Sequence, residues 1–168
     1  MSMYNKINVA VIGATGYTGL DLVLMLSKHP KVKIKYLCAQ SNIGKQIQYF
    51  DQRITKNLPK ISKLKSVDWD KIDVLFTALP NGESQIISKA LVNKKLKIID
   101  LSADFRLSDS SLYKKFYGRE HKAKKLINNS IYALSEFKKN KLKKFKIIAC
   151  PGCYPTSIQL PLIPLLMK

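Results

Sequence analysis

The segment Cys150-Pro151-Gly152-Cys153-Tyr154-Pro155-Thr156 sets two thiols three positions apart, just ahead of a helical stretch. Pro155 suits an early helical position. A thiol at a helix start meets unpaired N–H groups and the positive end of the dipole, which favour the thiolate, and the thiolate is the nucleophile. Two functional readings stand. Cys153 acts as a lone covalent nucleophile beside a nicotinamide, or Cys150 and Cys153 form a Cys-x-x-Cys redox pair, a motif that also joins a strand to a helix. Half a zinc site is a third idea. Structural zinc takes four ligands, and beyond this pair Cys38, His29 and His121 are the conventional candidates, with no recognisable spacing. The plain alternative is two buried thiols packing as small apolar groups.

A second group of residues could cradle phosphate. Gly13-Ala14-Thr15-Gly16-Tyr17-Thr18-Gly19 follows an apolar run and opens a helix. Glycines there permit a tight turn and let backbone N–H groups approach a pyrophosphate at the positive end of the helix. The spacing is Gly-x-x-Gly-x-x-Gly, not the commoner Gly-x-Gly-x-x-Gly, and its position between strand and helix carries the reading. NAD-specific domains of this type hold the ribose 2′-hydroxyl with an acid ~20 residues past the glycines. No Asp or Glu occurs between Asp21 and Asp51; Ala39-Gln40-Ser41-Asn42-Ile43-Gly44-Lys45 offers a hydroxyl and an ammonium instead. That environment suits a 2′-phosphate, so NADP is the expected cofactor.

These residues need a scaffold that delivers them to one edge. Ile7 to Ile12 reads as a buried strand, Leu20 to Ser27 as a helix, Val32 to Cys38 and Val74 to Leu79 as strands. A helical stretch from Glu83 to Val92, a strand at Leu96 to Leu101 and a late strand at Lys146 to Cys150 follow. Strand and helix alternating at these lengths imply an α/β fold, a doubly wound Rossmann-like parallel sheet with helices on both faces. Such sheets bind ligands at the carboxyl ends of their strands.

Composition sets the limits. A chain of 168 residues with a 46% apolar share holds one domain with a real core, and its longest apolar runs fall short of the ~20 residues of a bilayer span. Met1 to Lys6 carries no export signal, and three cysteines without one point to a reducing, cytoplasmic setting. The 30 basic against 11 acidic side chains, a net charge of +19, raise the prospect of a polyanion partner. The lysines are dispersed and no aromatic-rich RNA-binding signature accompanies them, so no nucleic-acid or membrane partner is expected. The dense run Lys138, Lys139, Lys141, Lys143, Lys144 and Lys146 is expected to be an exposed connection. Ser157 to Met167 is strongly apolar and needs something to pack against. Residues 1–150 are therefore expected to form an NADP-binding domain, with 151–168 a cysteine-bearing helix opening a substrate domain otherwise absent.

Gly13 to Gly19, the turn Ala78-Leu79-Pro80-Asn81-Gly82, the stretch Asp100-Leu101-Ser102-Ala103-Asp104-Phe105-Arg106-Leu107 and Pro151 to Thr156 together resemble N-acetyl-gamma-glutamyl-phosphate reductases of arginine biosynthesis, from about Ile7 onward. The last two motifs separate this family from aspartate-semialdehyde and glyceraldehyde-3-phosphate dehydrogenases, which share its architecture and thiol chemistry. The resemblance implies NADPH-dependent reduction of an acyl phosphate, a small-molecule substrate, to an aldehyde, through a thioester on Cys153. It implies cofactor contacts from Gly13, Thr15, Gly16, Tyr17, Thr18, Gly19, Ser41, Lys45 and Pro80, and substrate contacts from Arg106 and Ser102. A salt bridge to Asp104 or Asp100 is the alternative for Arg106, and helix or strand capping that for Ser102. Asn81 stands where the family commonly has His, Cys150 where it has Asn, and Tyr132-Ala133-Leu134-Ser135-Glu136 where it has Tyr-Gly-Leu-Pro-Glu. The family's general acid/base is a histidine downstream of the cysteine; none follows Cys153, so it is expected beyond residue 168. His29 is expected at a helix end on the surface, and His121 in a structural or substrate-side hydrogen bond. The full-length protein is expected to be a homo-oligomer.

Overall fold

The computed structural model describes residues 5–167; most of the stretch Met1 to Lys6, and Lys168, lie outside them. The chain divides into two compact units. One runs to Leu79 and takes in Asn93–Ile99; the other comprises Pro80–Val92 and the chain from Asp100 on.

In the first unit β1 (Ile7–Ile12) is central, because its β-branched residues are buried from Val9 onward. It pairs in parallel with β2 (Val32–Cys38) on one side and β4 (Val74–Thr77) on the other, and β3 (Ile61–Ser62) pairs with β2. Between β1 and β2 lies α1 (Tyr17–Lys28), which turns Gly19, Leu22, Val23 and Ser27 inward at helical spacing. It begins three residues before the expected Leu20, directly on its glycine N-cap, Gly16. The helix stops at His29, whose backbone is extended, as a residue before proline must be. Strand β5 (Lys97–Asp100) starts beside β4, where the Lys97 N–H donates to the Asp73 carbonyl at 2.9 Å.

The second unit carries α2 (Ser84–Leu91), α3 (Ser110–Tyr117), β6 (Ser130–Tyr132), α4 (Ser135–Leu142), β7 (Ile147–Ala149) and α5 (Cys153–Leu166). Strands β6 and β7 run parallel, with Ser130 opposite Ile147 and Tyr132 opposite Ala149. Past β7, the Cys150 N–H donates to the carbonyl of Asp100, the last residue of β5, at 2.8 Å. Strand pairings in both units are parallel and the connecting elements helical, so the expected α/β, Rossmann-like class holds.

Four elements were not read from the pattern. β3 and β6 are two and three residues long, too short to show alternation. α3 is held by the Asp109 side chain, which accepts from the Ser111 N–H at 2.7 Å, and Leu112, Tyr113, Phe116 and Tyr117 recur behind that cap at helical spacing, a signal that sequence reasoning passed over. The lysine run expected as an exposed connection instead begins on α4, a helix with no buried residue. Nothing apolar repeats in Ser135–Leu142, so periodicity gave no signal. The helix is anchored at its start, where the carbonyl of buried Leu134 accepts from the N–H groups of Phe137 and Lys138.

Candidate functional site

In the first unit the β1–α1 turn is built around two close approaches. Gly13 has φ of +80°, and a Cβ there would lie 2.0 Å from the Ala78 carbonyl oxygen at the exit of β4. A Cβ on Gly19 would lie 2.0 Å from the Gly13 carbonyl oxygen. Only glycine permits both. The Cys38 carbonyl, at the end of β2, accepts from the N–H groups of Gly13 (2.9 Å) and Ala14 (3.1 Å), which ties the turn to the neighbouring strand exit. Gly16 caps α1 with no side chain, so the first-turn amides have neither an intrahelical acceptor nor a capping oxygen. Gly16, Tyr17 and Thr18 are exposed and Thr15 half-buried. Such a row of outward amides fits the pyrophosphate of a dinucleotide.

The loop after β2 lies at the same edge. It turns through Asn42 (φ 63°) and Gly44 (φ 85°), and is fixed by hydrogen bonds from the Gly44 N–H to the Ile61 carbonyl and from the Ile61 N–H to the Lys45 carbonyl. Ser41 and Lys45 are both exposed; the Ser41 hydroxyl accepts from the Asn42 amide, and the Lys45 ammonium rests 4.5 Å over the Tyr49 ring. The two flanking carboxylates are engaged elsewhere. Arg53 bridges Asp21 at 2.7 Å and Asp51 at 2.8 Å, and its guanidinium holds the Asp51 carboxyl below the usual range.

In the second unit Cys153 is the first residue of α5 and is exposed. Arg106 braces the loop before it. Its Nε donates to the Cys150 carbonyl at 2.9 Å and its Nη2 to the Leu101 carbonyl at 2.9 Å. These contacts, to backbone carbonyls, were not among the roles expected for it. Cys150 is half-buried, and burial, with the Asp100 charge adding to it, pushes its thiol up to about 11. It is a poor thiolate source at neutral pH, and all three cysteines are free. Among the described residues no group of three His, Cys, Asp or Glu is placed to hold a metal ion.

Ser102 is buried, its hydroxyl donating to Asp100 Oδ2 at 2.9 Å and accepting from the Asp104 N–H at 3.1 Å. Asp104 is a centre that sequence reasoning missed. Its buried carboxylate accepts from the Gly82 N–H (2.7 Å), the Gln85 N–H (3.1 Å) and the Tyr113 hydroxyl (2.7 Å). Asn81 Oδ1 accepts from the Ala103 N–H, and Arg119 donates to the Asn81 carbonyl. The turn at Pro80–Gly82, with Pro80 exposed, is thereby clamped from two sides. The only signal in the sequence was an acid inside an apolar stretch. His121 completes the cluster: Nε2 lies 2.8 Å from the Asp104 carbonyl, Nδ1 accepts from the Ala123 N–H, and burial pushes its pKa down. With both nitrogens occupied, it is a structural histidine. His29 is exposed at the end of α1, as expected.

Residues 8–145 match the family described as semialdehyde dehydrogenase, NAD binding domain. The chain belongs to this family. This semialdehyde dehydrogenase NAD-binding domain is 43% identical over 162 residues to the probable chloroplastic N-acetyl-gamma-glutamyl-phosphate reductase of Oryza sativa subsp. japonica, a match covering 96% of this chain and 39% of that one. It is 46% identical over 166 residues to N-acetyl-gamma-glutamyl-phosphate reductase of Ehrlichia ruminantium (strain Gardel), covering 98% and 48%. The resemblance carried by the motifs is met in these relatives, of whose length the chain spans less than half. Aspartate semialdehyde dehydrogenase II of Vibrio cholerae, complexed with ASA, superposes with a TM-score of 0.70 at 18% identity over 96% of this chain and 46% of that one. The Candida albicans aspartate semialdehyde dehydrogenase, solved with NADP, gives 0.66 at 22% identity over 98% and 48%. The semialdehyde dehydrogenase NAD-binding domain shares their fold. Among its described residues no helix is long and apolar enough to cross a membrane.

Proposed function

We propose that the chain is the cofactor-binding and nucleophile-bearing part of an N-acetyl-gamma-glutamyl-phosphate reductase, which reduces N-acetyl-glutamyl 5-phosphate to the 5-semialdehyde in arginine biosynthesis. The observation that carries this reading is the 46% identity over 98% of the chain with a relative of that name. In this reading residues 1–150 serve NADP, and residues 151–168 present Cys153 toward a substrate domain.

The amides from Thr15 to Gly19 would hold the pyrophosphate, with Gly13 keeping the turn tight. Ser41 and Lys45 meet the 2′-phosphate; their exposure, and the engagement of Asp21 and Asp51 by Arg53, support NADP over NAD. Pro80, exposed on its clamped turn, would be a further cofactor contact in this reading. The Cys153 thiolate attacks the acyl carbon, the bond from that carbon to the phosphate oxygen breaks, and phosphate leaves with the electron pair. When bound, NADPH supplies the two-electron reduction of the resulting thioester. Collapse to the aldehyde breaks the C–S bond and returns the thiolate. The α5 amides hold the sulfur's charge at both ends of this cycle. The remaining N–H groups of Arg106 would form the substrate side; the Ser102 hydroxyl, expected there as well, is instead held between Asp100 Oδ2 and the Asp104 N–H and takes the capping role.

The reading extends to a homo-oligomeric cytoplasmic enzyme whose partners are small molecules, without nucleic acid or membrane. The exposed apolar side chains of α5, Leu165 and Leu166 among them, support association, and free thiols support a reducing compartment. The deciding experiment is intact-mass and peptide mapping after exposure to an acyl phosphate. An acyl adduct on Cys153, absent in Cys153→Ser, is expected; an adduct on Cys150 alone, or none, sinks the proposal.

A further inference from the structure

The exits of β5 and β7 are joined by one side chain. The Nε and Nη2 groups of Arg106 lie on one edge of a planar guanidinium, and that edge faces two backbone carbonyls: Leu101, the residue after β5, and Cys150, the residue after β7. The backbone closes the same junction, with the Cys150 N–H on the Asp100 carbonyl at 2.8 Å. From this junction only Pro151 and Gly152 remain before Cys153 opens α5. Gly152 is its N-cap, and a Cβ added there would lie 3.1 Å from Arg106 Nη1, so the guanidinium fills the space a side chain would take. Carbonyls that end strands would otherwise need water or another donor.

We propose that Arg106 is a positioning residue for Cys153: its fork locks the Cys150–Gly152 strap to the end of β5, fixing where α5 starts and therefore where its first thiol points. The proposal rests on the reading of Cys153 as the nucleophile. It gives the Nε/Nη2 edge, which the protein itself occupies, a task separate from any substrate contact made by the remaining N–H groups. A fork is required for this task. A single ammonium cannot span two carbonyls in one plane, so lysine, although it keeps the charge, is no substitute.

The test compares the second-order rates at which iodoacetamide, a neutral probe with no anion to grip, labels Cys153 and Cys150, resolved by peptide mapping. In the parent chain Cys153 is labelled and half-buried Cys150 is protected. Arg106→Lys and Arg106→Ala each lose a charge-assisted pair of hydrogen bonds, and the Cys153-to-Cys150 labelling ratio falls about tenfold as the strap loosens. Gly152→Ala, which pushes on the same guanidinium from the other side, lowers the ratio in the same direction. Guanidinium ion added to Arg106→Ala restores the ratio, and methylammonium does not, a response that general loss of structure would not give. An unchanged ratio in Arg106→Lys and Gly152→Ala, with acyl-phosphate labelling lost in Arg106→Lys, would overturn the proposal and leave Arg106 as a substrate ligand. If the parent chain takes no acyl group yet the iodoacetamide ratio still responds to the fork, it is the proposed reaction that fails and the positioning role that stands.

Discussion

The Tyr113 hydroxyl donates to Asp104 Oδ1 across 2.7 Å, and both residues are fully buried. The same hydroxyl accepts from Gln85 Nε2 at 3.2 Å, and the Gln85 side-chain oxygen accepts from the Lys122 N–H. A carboxyl group in such a place is stable only because each of its oxygens has a donor, Oδ1 from Gly82 and Tyr113 and Oδ2 from Gln85. Burial, with the carboxylate beside it, pushes the Tyr113 phenol upward, so it remains a donor throughout the neutral range.

Tyr113→Phe removes one donor from Asp104 and leaves the Gln85 amide without its acceptor. The expected loss is roughly 1–3 kcal/mol of stability. Urea unfolding followed by circular dichroism measures it, and a midpoint equal to that of the parent chain refutes the assignment of this cluster as a structural keystone.

His121 links the cluster to pH. Its folded pKa is lowered by burial, so the unfolded chain binds the proton first. The stabilising contribution of neutral His121 is complete above the unfolded value of ~6.5 and is lost as pH falls through that value toward the lower folded one. Stability measured at pH 7.5 and 5.5 should fall toward the acid side, and the slope should flatten in His121→Asn. An equal slope in the variant assigns the dependence to another group.

Gly13→Ala brings a Cβ to 2.0 Å from the Ala78 carbonyl, at a φ of +80° that L side chains rarely adopt. The expected cost exceeds about 2 kcal/mol, with loss of NADPH binding. Gly16→Ala, whose nearest atom is the Gly13 carbonyl oxygen at 3.5 Å, is the control expected to fold normally. Thermal unfolding and NADPH fluorescence distinguish the two.

Ser41→Asp restores an acid near the place where NAD-specific domains carry one. NADPH affinity should fall about tenfold to a hundredfold while NADH affinity rises, because a carboxylate repels the 2′-phosphate and accepts from a 2′-hydroxyl. Fluorescence titrations with both cofactors decide it. Parallel changes in the two affinities would place the 2′ position away from Ser41.

The elements that the pattern revealed are those buried by it. Ile7–Ile12 was legible to the residue, since a strand at the centre of a parallel sheet is apolar along most of its length, and Val32–Cys38 was legible to the residue although Lys33 and Lys35 interrupt its apolar positions. α4 was not, because a helix with no buried side chain has no period to display. The glycine turn was legible from its place between an apolar strand and a helix, although the close approach of Gly13 to Ala78 that requires glycine there is a contact between distant residues. Arg106 was legible as a cation beside the motif, but not its task, since the carbonyls it holds come from residues 101 and 150.

By itself the sequence determined the strand and helix alternation, the tight β1–α1 turn, the absence of an acid between Asp21 and Asp51, and Cys153 at the head of a helix. Each of these follows from local rules, in which a residue's type and its near neighbours set the backbone. Only the tertiary structure decided which partners the polar groups took. It gave the Asp104 carboxylate to Gly82, Gln85 and Tyr113, gave both nitrogens of His121 to the backbone, and gave the Arg106 fork to two strand ends. A hydrogen bond is directional and short, so its partner is fixed by how distant segments fold together, about which composition and spacing carry no information.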